Sequence, residues 1–328
     1  GLAKSLMQVG HDTALGAAFG GTLAGGATLI GRRSEVFGQI KNAVSPDKTV
    51  LRLDTYHIND FHSNTEQLPR IKTLLDQRMA ASQAHAVESR FIVPGDIESG
   101  RVNFAFTNGG KIENEALMKM GAKEIVPGNH AYDAPGGRSD VPRYPAVMEP
   151  LLQQHPDVSL IASNLDVSAH PQYERILKPY VVREVETPWG KTKIGTIGVT
   201  TEEGAVGGLK YIDPKVTVEA AVEQLKKEGV SIFQIHSHLG LGEDIKLAQH
   251  LIAKDIKVAG IVGAHSHDAL PRPIWVGAQS EASGFERLNP FRRKLASTGN
   301  GSGAGNFEIP IVQAGHSGNW LGEFNQAI

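Results

Sequence analysis

The amino-acid sequence predicts an α/β fold in which helices cover a largely parallel or mixed sheet. The first observation is that, from about residue 50 onward, short β-branched runs alternate with amphipathic stretches. The second is helical spacing, which in Ile71, Leu74, Leu75 and Met79 puts apolar side chains on one face. No internal repeat is evident, and the length of 328 residues allows one large α/β domain or about two domains.

Eight short runs rich in β-branched and apolar residues are predicted to form strands. These runs are residues 50–58, 90–93, 124–126, 159–162, 193–199, 231–235, 258–262 and 309–313. Five longer stretches with helical spacing are predicted to form the helices between them. These stretches are residues 68–84, 112–120, 145–154, 216–228 and 244–254.

Composition excludes several classes of site and partner. The 328 residues include no cysteine, which excludes disulfides, thiolate nucleophiles, cysteine zinc sites and iron–sulfur clusters. Lysine and arginine number 33 against 35 acidic residues, and this balance argues against a binder of nucleic acid duplexes. Any metal must therefore be held by nitrogen and oxygen ligands, for which 13 histidines are available.

Residues 1–49 form a glycine-rich leader that lacks the pattern of a domain. Residues 13–31 carry no charge and include six glycines, which weaken helix propensity and favour a flexible or loosely packed segment. The spacing of Gly16 and Gly20 leaves a membrane-seeking segment as the alternative. Two arginines follow the apolar run, which is the reverse of the order in a signal peptide.

Polar side chains cluster near the ends of five predicted strands. The five runs are HINDFH (residues 57–62), VPGD (93–96), VPGNHAYD (126–133), HSHLG (236–240) and GAHSHD (263–268). The carboxyl ends of strands in a wound α/β sheet line one crevice, so these side chains are expected to converge. Carboxylate, amide and imidazole groups suit Mn²⁺, Zn²⁺, Fe or Co²⁺. The sequence therefore predicts a polynuclear metal site at this edge of the sheet.

These motifs resemble the signature of the calcineurin-like metallophosphoesterases. The matching elements are Asp60-x-His62, Gly95-Asp96, Gly128-Asn129-His130, His238 and Gly263-Ala-His265-Ser-His267. In detail they are similar to the 5'-nucleotidase family: HINDFH resembles its opening strand motif, GNHAYD its GNHEFD and HSHLG its SHLG. The run PIVQAGHSGNWLG, residues 310–322, resembles the strand that closes its catalytic domain. The resemblance covers about residues 50–328 and implies a four-layer α/β/β/α metallophosphoesterase sandwich.

The resemblance also implies a dinuclear centre of two divalent metal ions. One ion would be bound by Asp60, His62, Asp96 and His267, and the other by Asp96, Asn129, His238 and His265. Asp96 would then be the bridging carboxylate, and His130 and Asp133 match the catalytic His–Asp pair of the family. Two cations joined in this way can turn a bridging water into hydroxide and neutralise charge on a phosphoryl group during in-line attack.

The expected function is a two-metal phosphohydrolase of phosphate monoesters, with nucleotides as the small-molecule substrates. A phosphodiesterase acting on cyclic nucleotides or UDP-sugars, or a thiosulfohydrolase-like enzyme, is the alternative within the enzymes. Outside the enzymes the alternative is a metal-binding effector or scaffold module, which would have no need of His130 and Asp133. Because the resembling family is commonly exported, a periplasmic or extracellular location is expected.

Other polar residues close to the motifs are not predicted to be metal ligands. His238 is preferred to His236 as a ligand because it aligns with SHLG, and His57 and Asn59 are expected to support the first ligand pair. His316 is expected to be structural, with a place in the pocket wall as the alternative. The 5'-nucleotidases add a C-terminal domain whose aromatic residues stack on the base, and we expect only the catalytic domain here, or a fragment.

Overall fold

Two six-stranded sheets form the centre of the computed structural model. The structure describes residues 51–98, 108–134, 138–187, 190–277 and 307–327. Val50–Ile328 groups as one compact unit, whereas the predicted leader, residues 1–49, lies outside the described residues. Within the described ranges, no helix combines the length and the apolar character needed to cross a membrane.

The strands of the described residues are numbered in chain order. They are β1 Arg52–His57, β2 Glu88–Val93, β3 Ala122–Ile125, β4 Asp133–Ala134, β5 Arg138–Ser139, β6 Ser159–Ile161, β7 Leu165–Asp166, β8 Leu177–Lys178, β9 Tyr180–Thr187, β10 Gly190–Thr200, β11 Lys210–Tyr211, β12 Ile232–His238, β13 Gly260–Val262, β14 Ile274–Val276, β15 Ile309–Val312 and β16 Gly322–Ala327.

The α-helices of the described residues follow the predicted pattern, and short 3₁₀ turns lie between strands or lead into a helix. The α-helices are α1 Leu68–Ala84, α2 Lys111–Lys119, α3 Arg143–Gln154, α4 Pro214–Lys227 and α5 Leu241–Ala253. The 3₁₀ turns are Thr65–Gln67, Asn129–Tyr132, Pro171–Arg175 and Glu202–Gly204.

Both sheets are parallel in the middle and antiparallel at an edge. The first has the order β16-β1-β2-β3-β6-β8, in which only the β1–β16 pair is antiparallel. The second has the order β14-β15-β13-β12-β10-β9, in which β14 and β9 run antiparallel to their neighbours. The three antiparallel strands β9, β14 and β16 were not among the predicted strands, whereas all eight predicted runs are strands.

Three apolar layers hold the sheets and helices together. The first sheet packs against α1, α2 and α3 through residues that include Phe91 and Leu151, and the second packs against α4 and α5 through residues that include Ile235. Between the sheets, Leu53 meets Ile194, because alternate residues of each strand face opposite sides. The layers therefore run helix, sheet, sheet, helix, and the predicted α/β/β/α sandwich is confirmed.

Two histidines buried in the layer between the sheets make stability dependent on pH. Burial lowers the pKa of His57 to about 4 and holds that of His236 well below its ordinary value. Both rings stay neutral in the folded chain well below about pH 6.5, the value below which the unfolded chain binds their protons. Stability from these groups is therefore complete above about pH 6.5 and is lost as the pH falls.

We expect the His57 contribution to fall by about 2 kcal/mol between pH 7 and pH 5. Urea unfolding of the metal-free protein and of His57→Asn at both pH values measures this loss. The free energy of unfolding of the wild type should drop by about that amount more than that of the variant. Equal losses in the two proteins would mean that His57 is not held neutral by burial.

Candidate metal centre

The predicted ligands meet at the carboxyl ends of parallel strands in both sheets. The loop after β1 carries Asp60 and His62, the loop after β2 carries Asp96, and a 3₁₀ turn after β3 carries Asn129 and His130. In the second sheet, His238 is the last residue of β12, and His265 and His267 follow β13. The facing sheets therefore bring together side chains that lie more than 200 positions apart in the sequence, such as His62 and His267.

Three groups of side chains in the described residues are close enough to hold a metal ion. Within each group the potential ligand atoms all lie within 4.8 Å of one another. The groups are Asp60–His62–His267, Asp96–His238–His265 and His62–Asp96–His130. Two of them agree with the two predicted ligand sets, and the third adds His130, which was predicted to be catalytic. The buried Oδ1 of Asn129, the remaining predicted ligand, accepts no hydrogen bond.

The backbone is strained at most of the ligand positions. Nine non-glycine residues in the described part of the chain have positive φ angles, and five of these are predicted ligands. The five are Asp60 at 47°, His62 at 49°, Asp96 at 48°, His265 at 76° and His267 at 61°. Each such conformation costs on the order of 1–3 kcal/mol and persists where the surroundings over-determine it, as they do at functional sites. The strained backbone at these positions is therefore consistent with loops that hold side chains in place for metal binding.

Two glycines allow the loops to approach closely. A Cβ on Gly95 would overlap with the ring of His238, and a Cβ on Gly128 would overlap with the carboxylate of Asp96 and lie 2.5 Å from its backbone nitrogen. Gly128 has an ordinary φ of −86°, so its role is to leave space. The glycines of the GD and GNH motifs therefore set the positions of Asp96 and His238.

Gly128→Ala should displace the Asp96 carboxylate and reduce both metal content and hydrolysis. A shift of about 1 Å in a catalytic group costs on the order of 10²-fold in rate, and we expect a loss of that size. Gly242→Ala is the matched control, because a Cβ there meets nothing within 4 Å. Metal analysis, steady-state rates and far-ultraviolet circular dichroism of both variants test this. Wild-type metal content and rate in folded Gly128→Ala would contradict the role of Gly128.

Burial makes the carboxylates depend on nearby positive charge. Asp60 is 0% and Asp96 2% exposed, and burial raises the pKa of Asp60 to about 7. Burial would also raise the pKa of Asp96, but His238, His130 and His62 outweigh it and hold that pKa well below its ordinary value. Buried carboxylates of this kind are stabilised by pairing or by coordinating a metal. A divalent cation would supply the missing positive charge beside Asp60.

The imidazoles around the carboxylates are mostly in the neutral form that binds metal. Burial lowers the pKa of His62 to about 4, and it also lowers the pKa of His265 and His267. His238 differs: burial opposes its charge, but the carboxylates of Asp96 and Asp60 outweigh burial and raise its pKa. Metal binding requires neutral imidazole, so a cation would displace the proton that His238 shares with Asp96.

Backbone groups orient the ligand side chains. The Nδ1 of His238 lies 2.8 Å from the carbonyl oxygen of Pro94, which directs Nε2 towards the cluster. The backbone nitrogen of His265 donates to Asp60 Oδ1 at 3.0 Å, and that of His130 donates to Asp96 Oδ1 at 3.1 Å. Each carboxylate is thus fixed by the backbone of another site residue, and the observed donor set fits divalent cations.

The predicted His–Asp pair is formed at the rim of the cluster. His130 Nδ1 lies 2.7 Å from Asp133 Oδ2, and His130 Nε2 lies 4.0 Å from Asp96 Oδ2. The hydrogen bond to Asp133 raises the pKa of His130 against the opposing effect of burial. His130 therefore favours the cationic form and points one nitrogen at the centre.

The supporting residues lie close to their expected places. His57 Nδ1 is 2.7 Å from Asn59 Oδ1, and the amide of Asn59 donates to the carbonyl oxygen of Gly263 at the start of the second sheet's ligand loop. These two residues therefore tie the two ligand loops together. His236 is buried between the sheets with neither ring nitrogen bonded, and it belongs to none of the three groups, unlike His238.

Glu203 and Trp320 were not among the predicted site residues, and His316 was expected to be structural, with the pocket wall as the alternative. Glu203 Oε1 lies 3.8 Å from His265 Nε2, in a 3₁₀ turn directly after β10. His316 stacks on His267, and Trp320 is exposed in the same turn as His316. Glu203 follows a strand end as the predicted ligands do, so the same rule would have found it had carboxylates without a neighbouring histidine been included.

Comparison with solved structures identifies the fold in which this arrangement occurs. The chain superposes on a 5'-nucleotidase precursor from Thermus thermophilus with a TM-score of 0.56 and 21% identity, over 85% of this chain and 54% of that one. A calcineurin-like phosphoesterase, YfkN, from Bacillus subtilis gives a TM-score of 0.54 and 16% identity, over 85% of each chain. The chain has the calcineurin-like phosphoesterase fold. The resemblance indicated by the motifs is thus confirmed in the fold.

Similarity in sequence covers less than half of this chain. An apyrase from Anopheles gambiae is 28% identical over 158 residues, which are 45% of this chain and 25% of that protein. The chain therefore spans about a quarter of the curated relative it matches and about half of the 5'-nucleotidase precursor. No family model matches the chain.

Proposed function

We propose that this phosphoesterase-fold chain is a metal-dependent hydrolase of phosphate monoesters, with nucleotides as substrates. One observation carries the proposal: the Asp96 carboxylate belongs to one group with His238 and His265 and to a second with His62 and His130, beside the Asp60 group. A carboxylate shared in this way is what a two-ion site requires. The names apyrase and 5'-nucleotidase, borne by similar proteins, support nucleotides as the substrate class.

The residues divide between two cation positions. Asp60, His62, Asp96 and His267 would hold one ion, and Asp96, Asn129, His238 and His265 the other. When bound, such a pair of ions activates water and neutralises charge on a transferring phosphoryl group. Their oxygen and nitrogen ligands suit Mn²⁺, Zn²⁺, Fe or Co²⁺.

His130 and Asp133 would act on the ester itself. The Asp133 carboxylate accepts the hydrogen bond from His130 Nδ1 and favours the imidazolium. The opposite nitrogen, Nε2, then carries a proton that faces the cluster. It can donate a hydrogen bond to the ester and then transfer that one proton to the departing alkoxide oxygen, so that the leaving group departs as a neutral alcohol. A metal-binding scaffold would make no use of this pair.

A substrate panel tests the proposal. The protein is stripped of metal, reconstituted separately with Mn²⁺, Zn²⁺ and Co²⁺, and assayed for phosphate release from AMP and p-nitrophenyl phosphate. UDP-glucose, 2',3'-cyclic AMP and a thiosulfate ester are assayed in parallel by product analysis. We expect metal-dependent turnover, fastest on the monoesters.

Each result on the panel has a distinct meaning. Faster cleavage of UDP-glucose or 2',3'-cyclic AMP would replace the monoesterase with a phosphodiesterase, and preference for the thiosulfate ester would replace it with a thiosulfohydrolase-like enzyme. Failure to turn over any substrate with any of the three metals would refute the hydrolase and leave a metal-binding module.

A further inference from the structure

The turn that follows β15 carries two exposed aromatic rings beside the metal centre. This segment, residues 314–320, is called the closing turn below. The ring of His316 stacks on that of His267, with 4.7 Å between centroids and 23° between planes. Trp320 leaves 61% of its surface exposed. The hydrolytic chemistry of the metal centre gives this indole no role.

Trp320 packs on a glycine of the closing turn that is hydrogen-bonded to the loop carrying His267. Gly315 has a φ of 68°, and Trp320 Cδ1 lies 2.8 Å from where a Cβ on that glycine would be, so the indole packs directly on the backbone. The backbone nitrogen of Gly315 donates to the carbonyl oxygen of Asp268 at 2.9 Å. Asp268 directly follows His267. The indole is therefore linked to the predicted ligand His267 through Gly315 and Asp268.

The closing turn is also anchored to the first sheet's ligand loop. The backbone nitrogen of Ser317 donates to the carbonyl oxygen of Asp60 at 2.7 Å, and Asn64 Nδ2 donates to the carbonyl oxygen of Ser317 at 2.6 Å. Arg70 Nη2 donates to the carbonyl oxygen of Asn319 at 3.1 Å. A surface fixed at this many points is preorganised, so a ligand that binds there pays little to order it.

We propose that Trp320 is the stacking surface for the leaving group, and that the base of a nucleoside monophosphate lies on its indole while the phosphate lies at the metal centre. This inference rests on the proposed function. An indole face binds planar rings through stacking and apolar contact, with little dependence on which base is present. The subsite would therefore favour nucleotides over aliphatic phosphates and would accept purines and pyrimidines alike.

The kinetic test compares two esters that differ in the base. AMP and ribose 5-phosphate carry the same scissile phosphate, but only AMP has a ring to stack. In Trp320→Ala we expect KM for AMP to rise about 5- to 100-fold, the size of effect seen when one stacking side chain is truncated. The kcat for AMP and the KM for ribose 5-phosphate should stay within about twofold of wild type, since the remaining contacts of the phosphate are unchanged. Trp320→Phe should restore most of the affinity.

Trp275 provides the matched control. It is 53% exposed on the edge strand β14, and its cross-strand neighbour is Pro310, near the start of β15 rather than in the closing turn. Trp275→Ala should leave both KM values unchanged. Equal changes on the two esters in Trp320→Ala, or no change on either, would overturn the inference, because a structural role would not distinguish the base.

A binding measurement separates failure of this inference from failure of the proposed function. Adenosine, which has no phosphate, should quench tryptophan fluorescence of metal-free wild type and of Trp275→Phe, but not of Trp320→Phe. If the wild type hydrolyses neither ester, the proposed function fails. The fluorescence quenching by adenosine then shows whether Trp320 binds the base. Quenching that depends on Trp320 would uphold the subsite, and its absence would overturn it.

Discussion

Asp96→Asn should abolish hydrolysis and lower the metal content of the protein. The buried Asp96 carboxylate lies 3.1 Å from His238 Nε2 and shares a potential metal site with His62 and His130. Asparagine keeps the shape but removes the charge that two cations would share, so both ion positions lose a ligand. We expect at least a 10³-fold loss of kcat/KM, on the order of the effect of removing a central electrostatic group, and fewer than two ions per chain by elemental analysis.

Asp76→Asn is the matched control for that result. Asp76 lies on the surface of α1 in an ion pair with Lys72, with more than half of its side chain exposed. The control should keep wild-type metal content and rate, since exposed ion pairs contribute about 0–1 kcal/mol. If Asp96→Asn bound two ions and turned over as fast as the control, Asp96 could not be the bridging ligand.

His130→Ala should keep both ions and lose rate on the order of 10²–10³-fold. His130 faces the centre, but its other nitrogen is bonded to Asp133, as expected of a proton donor held in place by a carboxylate. Its proximity to His62 and Asp96 makes a ligand role the competing explanation. Elemental analysis distinguishes the two roles, because a ligand variant loses metal and a proton-donor variant does not.

Two further variants complete the test of the His–Asp pair. Asp133→Asn should lower kcat without loss of metal, because it removes the charge that favours the imidazolium. His85→Ala replaces an exposed histidine at the end of α1 and should behave as wild type. Full activity in His130→Ala would remove the His–Asp pair from the mechanism, and loss of one ion in that variant would make His130 a ligand.

Much of the fold was predictable because its strands lie in the middle of sheets. Buried parallel strands such as β13, which consists of Gly260–Val262 and has parallel neighbours on both sides, read as short apolar runs. The edge strand β16 reads differently: Phe324 and Gln326 are buried while their neighbours are exposed. Its partner β1 is adjacent in space but far away in the sequence, with Arg52 opposite Ala327. A short alternation paired so far along the chain gives little local signal.

The centre was predictable to the extent that its ligands follow strand ends. That rule selects both His238 and His236 as candidate ligands, because residues two apart on β12 face the same side. What distinguishes them is depth: His236 lies opposite Val262 within the sheet, whereas His238 lies at the open end of its strand. Which histidine lies at the open end depends on where β12 ends, and the sequence predicts strand ends only to within a few residues. The motif resemblance supplied the choice.

The strand-end rule can include Glu203 as a candidate, but it does not predict which loops contact each other. Glu203 meets His265 from the 3₁₀ turn after β10, and Trp320 packs on Gly315, whose backbone is hydrogen-bonded to Asp268 beside His267. Such contacts depend on how loops from distant strands pack, which periodicity and motif spacing do not describe.

Anomalous diffraction from crystals of the protein loaded with Mn²⁺ tests the central claim most directly. Two peaks about 3.5–4 Å apart are expected, one among Asp60, His62 and His267 and the other among Asn129, His238 and His265, with the Asp96 carboxylate between them. No peak at the strand ends, or a single ion that leaves Asp96 uncoordinated, would contradict the dinuclear centre and the hydrolytic mechanism built on it.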